Sequence, residues 1–178
     1  MPPRHGRLAG VLALSLSARL APAAAAVVGN TCAPSAHQTW ALNALSQLQS
    51  AADPAACLAA AAVPAVDGTA LTMTPCAAAP GDAAQTWVYV GGNRTLVLAA
   101  QPAFCVNLSG YGTSPGTQVW LWTCDDVDCE GNCDWLGVGA TPAAIVNPQS
   151  ALCLDDGDEP PQPYTCASGS PSSGLPFC

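Results

Sequence analysis

Short stretches of alternating apolar and polar residues recur along most of the chain. The clearest of them cover residues 71–74, 86–90, 118–123 and 144–147. Clusters of Gly, Pro, Asn and Asp separate them, at 67–68, 91–93 and 114–116. Alternation with a period of two predicts half-buried strands, and no segment has the spacing of a ten-residue amphipathic helix. The pattern predicts an all-β fold.

Three kinds of marker recur with one period of about 48 residues. The first is a cysteine at 57, 105 and 153, and the second is a cysteine at 76 and 124. The third is a tryptophan at 40, 87 and 135. A period of this length fits four short strands per unit, with each tryptophan anchoring a shared core around a threefold axis. Two cysteines 19 positions apart can close a hairpin-like loop and contribute about 3 kcal/mol.

The first 26 residues have the features of a secretory signal peptide. Arg4 and Arg7 precede an apolar run at 8–17, and small residues fill 21–26. A disordered tail is the alternative. The ten cysteines include no C-x2-C pair, and His37 is the sole histidine after the leader, so we expect no metal site and no cofactor. The cysteine content therefore predicts disulfides and a secreted, extracellular protein.

Charge excludes two classes of partner. The chain has no lysine, four arginines and a formal net charge of -8. Binding to nucleic acid or to an anionic membrane surface needs the opposite balance, so we expect neither. Two N-glycosylation sequons, at 93–95 and 107–109, predict a glycoprotein if the chain follows the secretory route.

The motifs around the tryptophans resemble those of a known family. Gln-Thr-Trp at 38–40 and 85–87 are Q-x-W motifs, and Cys-Asp-Trp at 133–135 keeps the tryptophan. With Trp-Leu-Trp-Thr-Cys at 120–124 and Ala-Leu-Cys-Leu-Asp at 151–155, residues 28–166 resemble the ricin B-type lectins. The resemblance implies a twelve-strand β-trefoil over 27–166 that binds carbohydrate and is not an enzyme. It also implies disulfides Cys57–Cys76, Cys105–Cys124 and Cys153–Cys166.

The register departs from the family pattern. The chain starts in the second half of a repeat and ends in the first half of another, so that two, four, four and two strands are expected. The two partial repeats can complete one another as a permuted third lobe. An incomplete barrel is the alternative.

The resemblance also assigns sugar-binding positions in each lobe. The first is a carboxylate two residues after the first cysteine of the lobe, and the second is an aromatic residue two positions before the second cysteine. The third is a glutamine or similar residue two positions before the aromatic residue. The fourth is an asparagine directly before the Q-x-W glutamine. An ionised carboxylate accepts hydrogen bonds from hydroxyls, and an aromatic ring covers the apolar face of a pyranose. In the lobe of Cys57 these positions hold Ala59 and Thr74, which predicts a silent lobe.

The other two lobes keep more of the pattern. The middle lobe has Asn107, Trp120, Trp122 and Asn132, although Trp122 could instead be a packed strand residue and a glycan on Asn107 would block the cleft. The last lobe is expected to be the best site. It has Asp155, Gln162 and Tyr164, completed by His37 and Gln38 if the barrel closes. Asp155 could also belong to an acidic, solvated turn.

Two further motifs have simpler explanations. Residues 126–131 begin like a calcium loop but lack the bidentate glutamate, and a local Cys129–Cys133 disulfide explains the segment better. Residues 112–116 match G-x-S-x-G, but a strand rather than a helix follows, which indicates a turn.

The last segment, 167–178, is a linker or tail rich in Gly, Ser and Pro. Its ending, Gly-Leu-Pro-Phe-Cys, looks like the opening of the catalytic part of family 3 glycoside hydrolases. The sequence therefore predicts a monomeric, secreted carbohydrate-binding module for a glycan or polysaccharide. The alternatives are a degenerate, non-binding trefoil and the truncated binding region of a glycoside hydrolase, and no motif specifies the sugar.

Overall fold

The computed structural model describes residues 26–124, 129 and 131–157, which form antiparallel strands and two short 3-10 turns. The turns are Ala36–Gln38 and Ser109–Tyr111. The strands of the described residues are β1 Val28–Thr31, β2 Thr39–Leu42, β3 Leu48–Ser50, β4 Ala56–Ala60, β5 Thr69–Pro75, β6 Trp87–Val90, β7 Thr95–Leu98, β8 Gln101–Leu108, β9 Thr117–Thr123, β10 Ala143–Ala144, β11 Val146–Asn147 and β12 Leu152–Asp155.

One strand pair is repeated three times with the same register. The first cysteine of each unit lies opposite the residue two positions before the second cysteine. The three pairs are Cys57 with Thr74 in β4–β5, Cys105 with Trp122 in β8–β9, and Cys153 with Asn30 in β12–β1. The pseudo-repeat predicted from the 48-residue period is therefore present, and the all-β trefoil prediction is confirmed.

The third lobe is assembled from both ends of the repeat array, because β12 pairs along its full length with β1. The permuted closure is thus the arrangement that the protein adopts. The expected division into two, four, four and two strands is wrong, however. Strands β1–β3 join β12 in this lobe, because residues 28–31 form the strand that was expected near the carboxyl end. The strands of the described residues therefore divide into three, four, four and one.

The three repeated tryptophans form the centre of the core, as predicted. Trp40, Trp87 and Trp135 are each at most 1% exposed. Their indole Nε1 groups donate to the carbonyl of the residue after the first cysteine of the lobe, at 2.8, 3.0 and 2.9 Å respectively. A buried indole N–H needs an acceptor, so these bonds fix each tryptophan against the first strand of its lobe.

The second strands of the three lobes meet around the pseudo-threefold axis. Strand β5 pairs with β9, β9 pairs with β1, and a bridge from Ala26 to Thr72 links the start of β1 to β5. The strands approach closely here, since a Cβ on Gly29 would lie 2.6 Å from Cδ2 of Leu108. A larger residue at this position would require the Leu108 side chain to shift.

Four disulfides are present among the described cysteines. Three are pairs that the sequence had suggested: Cys57–Cys76, Cys105–Cys124 and Cys129–Cys133. The fourth is Cys32–Cys153, so the expected Cys153–Cys166 pair is wrong. The reason is positional. Cys32 directly follows β1, just as Cys76 directly follows β5 and Cys124 directly follows β9.

The remaining sequence motifs lie partly outside the described residues. The predicted leader at 1–26, apart from Ala26, and the predicted tail at 167–178 lie outside the described residues and stay predictions. Residues 126–128 and 130 of the calcium-like motif also lie outside them. Residues 112–116 form the turn between β8 and β9, with a strand and not a helix after the serine. No helix among the described residues is long and apolar enough to cross a membrane.

Candidate functional site

The glutamines of the two Q-x-W motifs brace the backbone. Oε1 of Gln38 accepts the N–H of the residue after Cys32 at 2.7 Å, and its Nε2 donates to the carbonyl of the residue before Cys32 at 2.9 Å. Gln85 makes the same two bonds around Cys76, at 2.7 and 2.8 Å. Both side chains are buried. These glutamines therefore hold the end of the second strand in their lobes.

The last lobe, expected to be the best site, has a buried carboxylate, and each of its oxygens accepts a hydrogen bond. Asp155 is 3% exposed. Its Oδ2 accepts from Nε2 of Gln38 and its Oδ1 from the backbone N–H of Gly157, both at 2.9 Å. Gln162 and Tyr164 lie outside the described residues. The register position opposite Cys153 that an aromatic would fill holds Asn30, which is 9% exposed.

His37, expected beside the sugar in this lobe, lies within hydrogen-bond distance of Asp156, the residue directly after β12. Its Nδ1 lies 2.7 Å from Oδ1 of Asp156, whose Oδ2 accepts from the hydroxyl of Ser50 at 2.6 Å. Since Ser50 donates to the carboxylate and not to the imidazole, the three residues lack the serine–histidine bond of a hydrolytic triad. The cluster ties the 3-10 turn and β3 to the end of β12.

The first lobe has no sugar-binding groups at the family positions. Ala59 is buried, and the hydroxyl of Thr74 accepts from Nε2 of Gln85 at 2.6 Å. The side chain of Ala59 is thus too small to bind a sugar hydroxyl, and the hydroxyl of Thr74 is already bonded to Gln85.

The middle lobe presents two tryptophans on one outward-facing strand surface. In β9, Val119 and Leu121 are fully buried, while Trp120 and Trp122 point to the other face and are partly exposed. Alternation along a strand explains this division. The two rings stack with centroids 5.2 Å apart and an angle of 28° between their planes. We call this pair the aromatic ledge.

Small residues lie beside the ledge at the start of β5 and directly before it. Ala70 lies opposite Trp120, and the N–H of Gly68 donates to the carbonyl of Leu121 at 3.0 Å. A Cβ on Gly68 would already be 4.0 Å from the ring of Trp120. A larger side chain on β5 would cover the indoles, whereas glycine and alanine leave that side of the ledge clear.

A carboxylate from the neighbouring lobe lies at the end of the ledge. Asp67 is exposed, and its Oδ1 accepts from both the N–H and the hydroxyl of Thr123, at 2.7 and 2.8 Å. Thr123 directly follows Trp122. Within the described residues, Oδ2 of Asp67 has no hydrogen-bond partner. Sequence reasoning missed Asp67, because it belongs to another repeat and reaches the ledge only through the pairing of β5 with β9.

Asn107 and Asn132, expected to touch sugar in this lobe, are buried at 3% and 5% exposure. Both ends of the Asn107 amide are engaged: Oδ1 accepts from Nε1 of Trp120 at 3.2 Å, and Nδ2 donates to Sγ of Cys133 at 3.1 Å. The carbonyl of Asn132 accepts from the N–H of Leu108 at 3.1 Å. Asn107 therefore supports the ledge from beneath, and a glycan on Nδ2 would require this buried side chain to move out of its place.

Comparison with known proteins agrees with this arrangement. The sequence matches the ricin-type β-trefoil lectin domain over two overlapping stretches, residues 4–130 and 65–173. The chain belongs to this family. No curated protein matches it. Ricin-type lectin domains bind carbohydrate and are typically non-catalytic, and this lectin domain keeps the family's fold while differing among its three lobes.

Proposed function

We propose that this lectin domain is a secreted module that binds neutral sugars through the aromatic ledge of its middle lobe. The observation that carries the proposal is the exposure of two stacked indoles, one of them at the family's aromatic position. An indole face is suited to the apolar C–H face of a pyranose. The net charge of -8 disfavours sulfated or acidic glycans, so neutral sugars are the better ligands.

Asp67 supplies the acceptor that this lobe lacks at position 107. Its Oδ1 is held by Thr123, and this fixes the carboxylate while Oδ2 is left for a sugar hydroxyl. A charged acceptor makes stronger hydrogen bonds than a neutral one. One shallow site of this kind is expected to bind with a dissociation constant of roughly 0.1–1 mM, because few ligand atoms are buried. Four disulfides favour an extracellular setting for it.

The Trp122→Ala variant tests the proposal. The variant removes the ring face that covers the apolar face of the sugar, so we expect it to lower the affinity for sugar about tenfold, or ~1.4 kcal/mol. A screen of the full chain against immobilised glycans identifies a ligand, and calorimetric titration with that ligand gives the affinities. Tyr111→Ala is the matched control, because Tyr111 is an exposed aromatic in the turn of the same hairpin. Equal sugar affinity of the two variants would show that the sugar does not bind at the ledge.

The Asp67→Asn variant tests the carboxylate separately. Asparagine keeps the oxygen that accepts from Thr123 but replaces the second oxygen with an NH2 group. We expect about fivefold weaker sugar binding, or ~1 kcal/mol, with an unchanged unfolding midpoint. Asp82→Asn is the control, since Asp82 is an exposed carboxylate that caps two backbone N–H groups in the loop before β6. A loss of stability without a loss of affinity would leave Asp67 as a structural cap.

The alternative, a trefoil that binds no sugar, has an observation in its favour. The first lobe lacks both key side chains, and Asp155 of the last lobe is buried and engaged. A folded chain with intact disulfides that binds no glycan in the screen would favour this scaffold. The third possibility, a glycoside hydrolase fragment, depends on residues 174–178, which lie outside the described part.

A further inference from the structure

The middle lobe replaces the bracing glutamine with a disulfide. Cys133 lies two residues before Trp135, as Gln38 and Gln85 lie two residues before Trp40 and Trp87. Cys133 is fully buried and bonded to Cys129. Sγ of Cys129 lies 3.9 Å from the carbonyl oxygen of Thr123. Thr123 precedes Cys124, so this is the carbonyl that the glutamine would bind in the other two lobes. The disulfide thus spans the gap that a glutamine side chain spans elsewhere.

The sulfur of Cys133 is connected to the ledge through one amide. Nε1 of an indole can only donate, so Oδ1 of Asn107 must face Trp120, and Nδ2 then faces Sγ of Cys133. The distances are 3.2 and 3.1 Å. Trp120 in turn stacks on Trp122 at 5.2 Å. A continuous set of contacts therefore runs from the disulfide through Asn107 and Trp120 to Trp122.

We infer that the Cys129–Cys133 disulfide is a positioning element of the aromatic ledge. It holds the Asn107 amide in one orientation, and the amide holds the indole of Trp120 against Trp122. None of its atoms needs to touch a ligand. The inference rests on the proposed function only for its consequence in sugar binding; the effect on the two indoles is independent of any ligand.

The experiment measures the exciton couplet of the stacked indoles by circular dichroism. Trp122→Phe, which removes one partner of the stack, assigns the couplet to this pair. The double variant Cys129→Ala with Cys133→Ala is expected to lose at least half of the couplet. Removal of a different disulfide, by Cys57→Ala with Cys76→Ala, is the control that leaves the couplet unchanged.

A second variant keeps the test valid if the alanine pair does not fold. Asn107→Ala breaks the same set of contacts while all four disulfides remain, and it is also expected to reduce the couplet. An undiminished couplet in either folded variant would overturn the inference. Sugar titrations of the same proteins report on the proposed function: about fivefold weaker binding alongside a reduced couplet supports both. A reduced couplet with unchanged sugar affinity supports the positioning role and contradicts the ledge as the binding site.

Discussion

Replacing Cys32 and Cys153 by alanine is expected to lower the free energy of unfolding by about 4–5 kcal/mol. This disulfide joins residues 121 positions apart. A cross-link restricts the unfolded chain more strongly as the loop grows, and a loop of about 100 residues gives about 4.7 kcal/mol in the chain-entropy estimate. The bond also joins β1 to β12, the two strands that complete the third lobe. Equilibrium unfolding in guanidinium chloride measures the change.

The control is the removal of Cys57 and Cys76, which are 19 positions apart. A loop of this length predicts a loss of only about 3 kcal/mol. Both disulfides occupy equivalent places in their lobes, and Cys57 and Cys153 are equally buried, so the comparison isolates loop length. Equal losses for the two pairs, or the larger loss for the short loop, would contradict the entropic account.

The pairing of Cys32 shows what a sequence period can and cannot reveal. The period of 48 residues and the repeated tryptophans predicted the strands, the core and the permuted closure. They did not reveal the partner of Cys153, because Trp40 follows Cys32 by eight positions whereas Trp87 and Trp135 follow their cysteines by eleven. The third lobe uses a shorter connection through the 3-10 turn at Ala36–Gln38. The spacing between cysteine and tryptophan is a poor guide to disulfide partners where a loop changes length. The register of the paired strands is not affected by such a change.

The candidate site was predictable in part, for a related reason. The family pattern named Trp120 and Trp122 as sugar-binding candidates, and the structure places both on one face of β9. The support of the ledge was not predictable, because the burial of Asn107 and its bonds to Trp120 and Cys133 depend on residues from three separate segments. Asp67 was missed for the same reason. A family pattern assigns positions within one repeat, whereas this candidate site contains residues from two repeats.

Asp155→Ala is expected to lower the free energy of unfolding by about 3 kcal/mol and to leave sugar affinity unchanged. The carboxylate accepts from Gln38 and from the N–H of Gly157, and hydrogen bonds to a charged group contribute about 1.5–3 kcal/mol each. Its loss leaves the partly buried N–H of Gly157 and the buried Nε2 of Gln38 without this acceptor. Thermal and chemical unfolding measure the stability, and titration with the sugar identified by the screen measures the affinity.

The same variant distinguishes the two lobes as binding sites, because a sugar-binding carboxylate and a structural carboxylate have opposite effects on affinity and stability when they are removed. A carboxylate that binds sugar contributes to affinity and little to folding, so its removal would abolish binding in a stable protein. Asp53→Ala is the control, since Asp53 is exposed and its Oδ1 accepts from one backbone N–H at 3.0 Å. If Asp155→Ala abolishes binding at unchanged stability, the site lies in the permuted lobe and the ledge does not bind the sugar. If stability falls alone, Asp155 has become a structural residue because its oxygens are bonded to Gln38 and the backbone, and the middle lobe is left as the site.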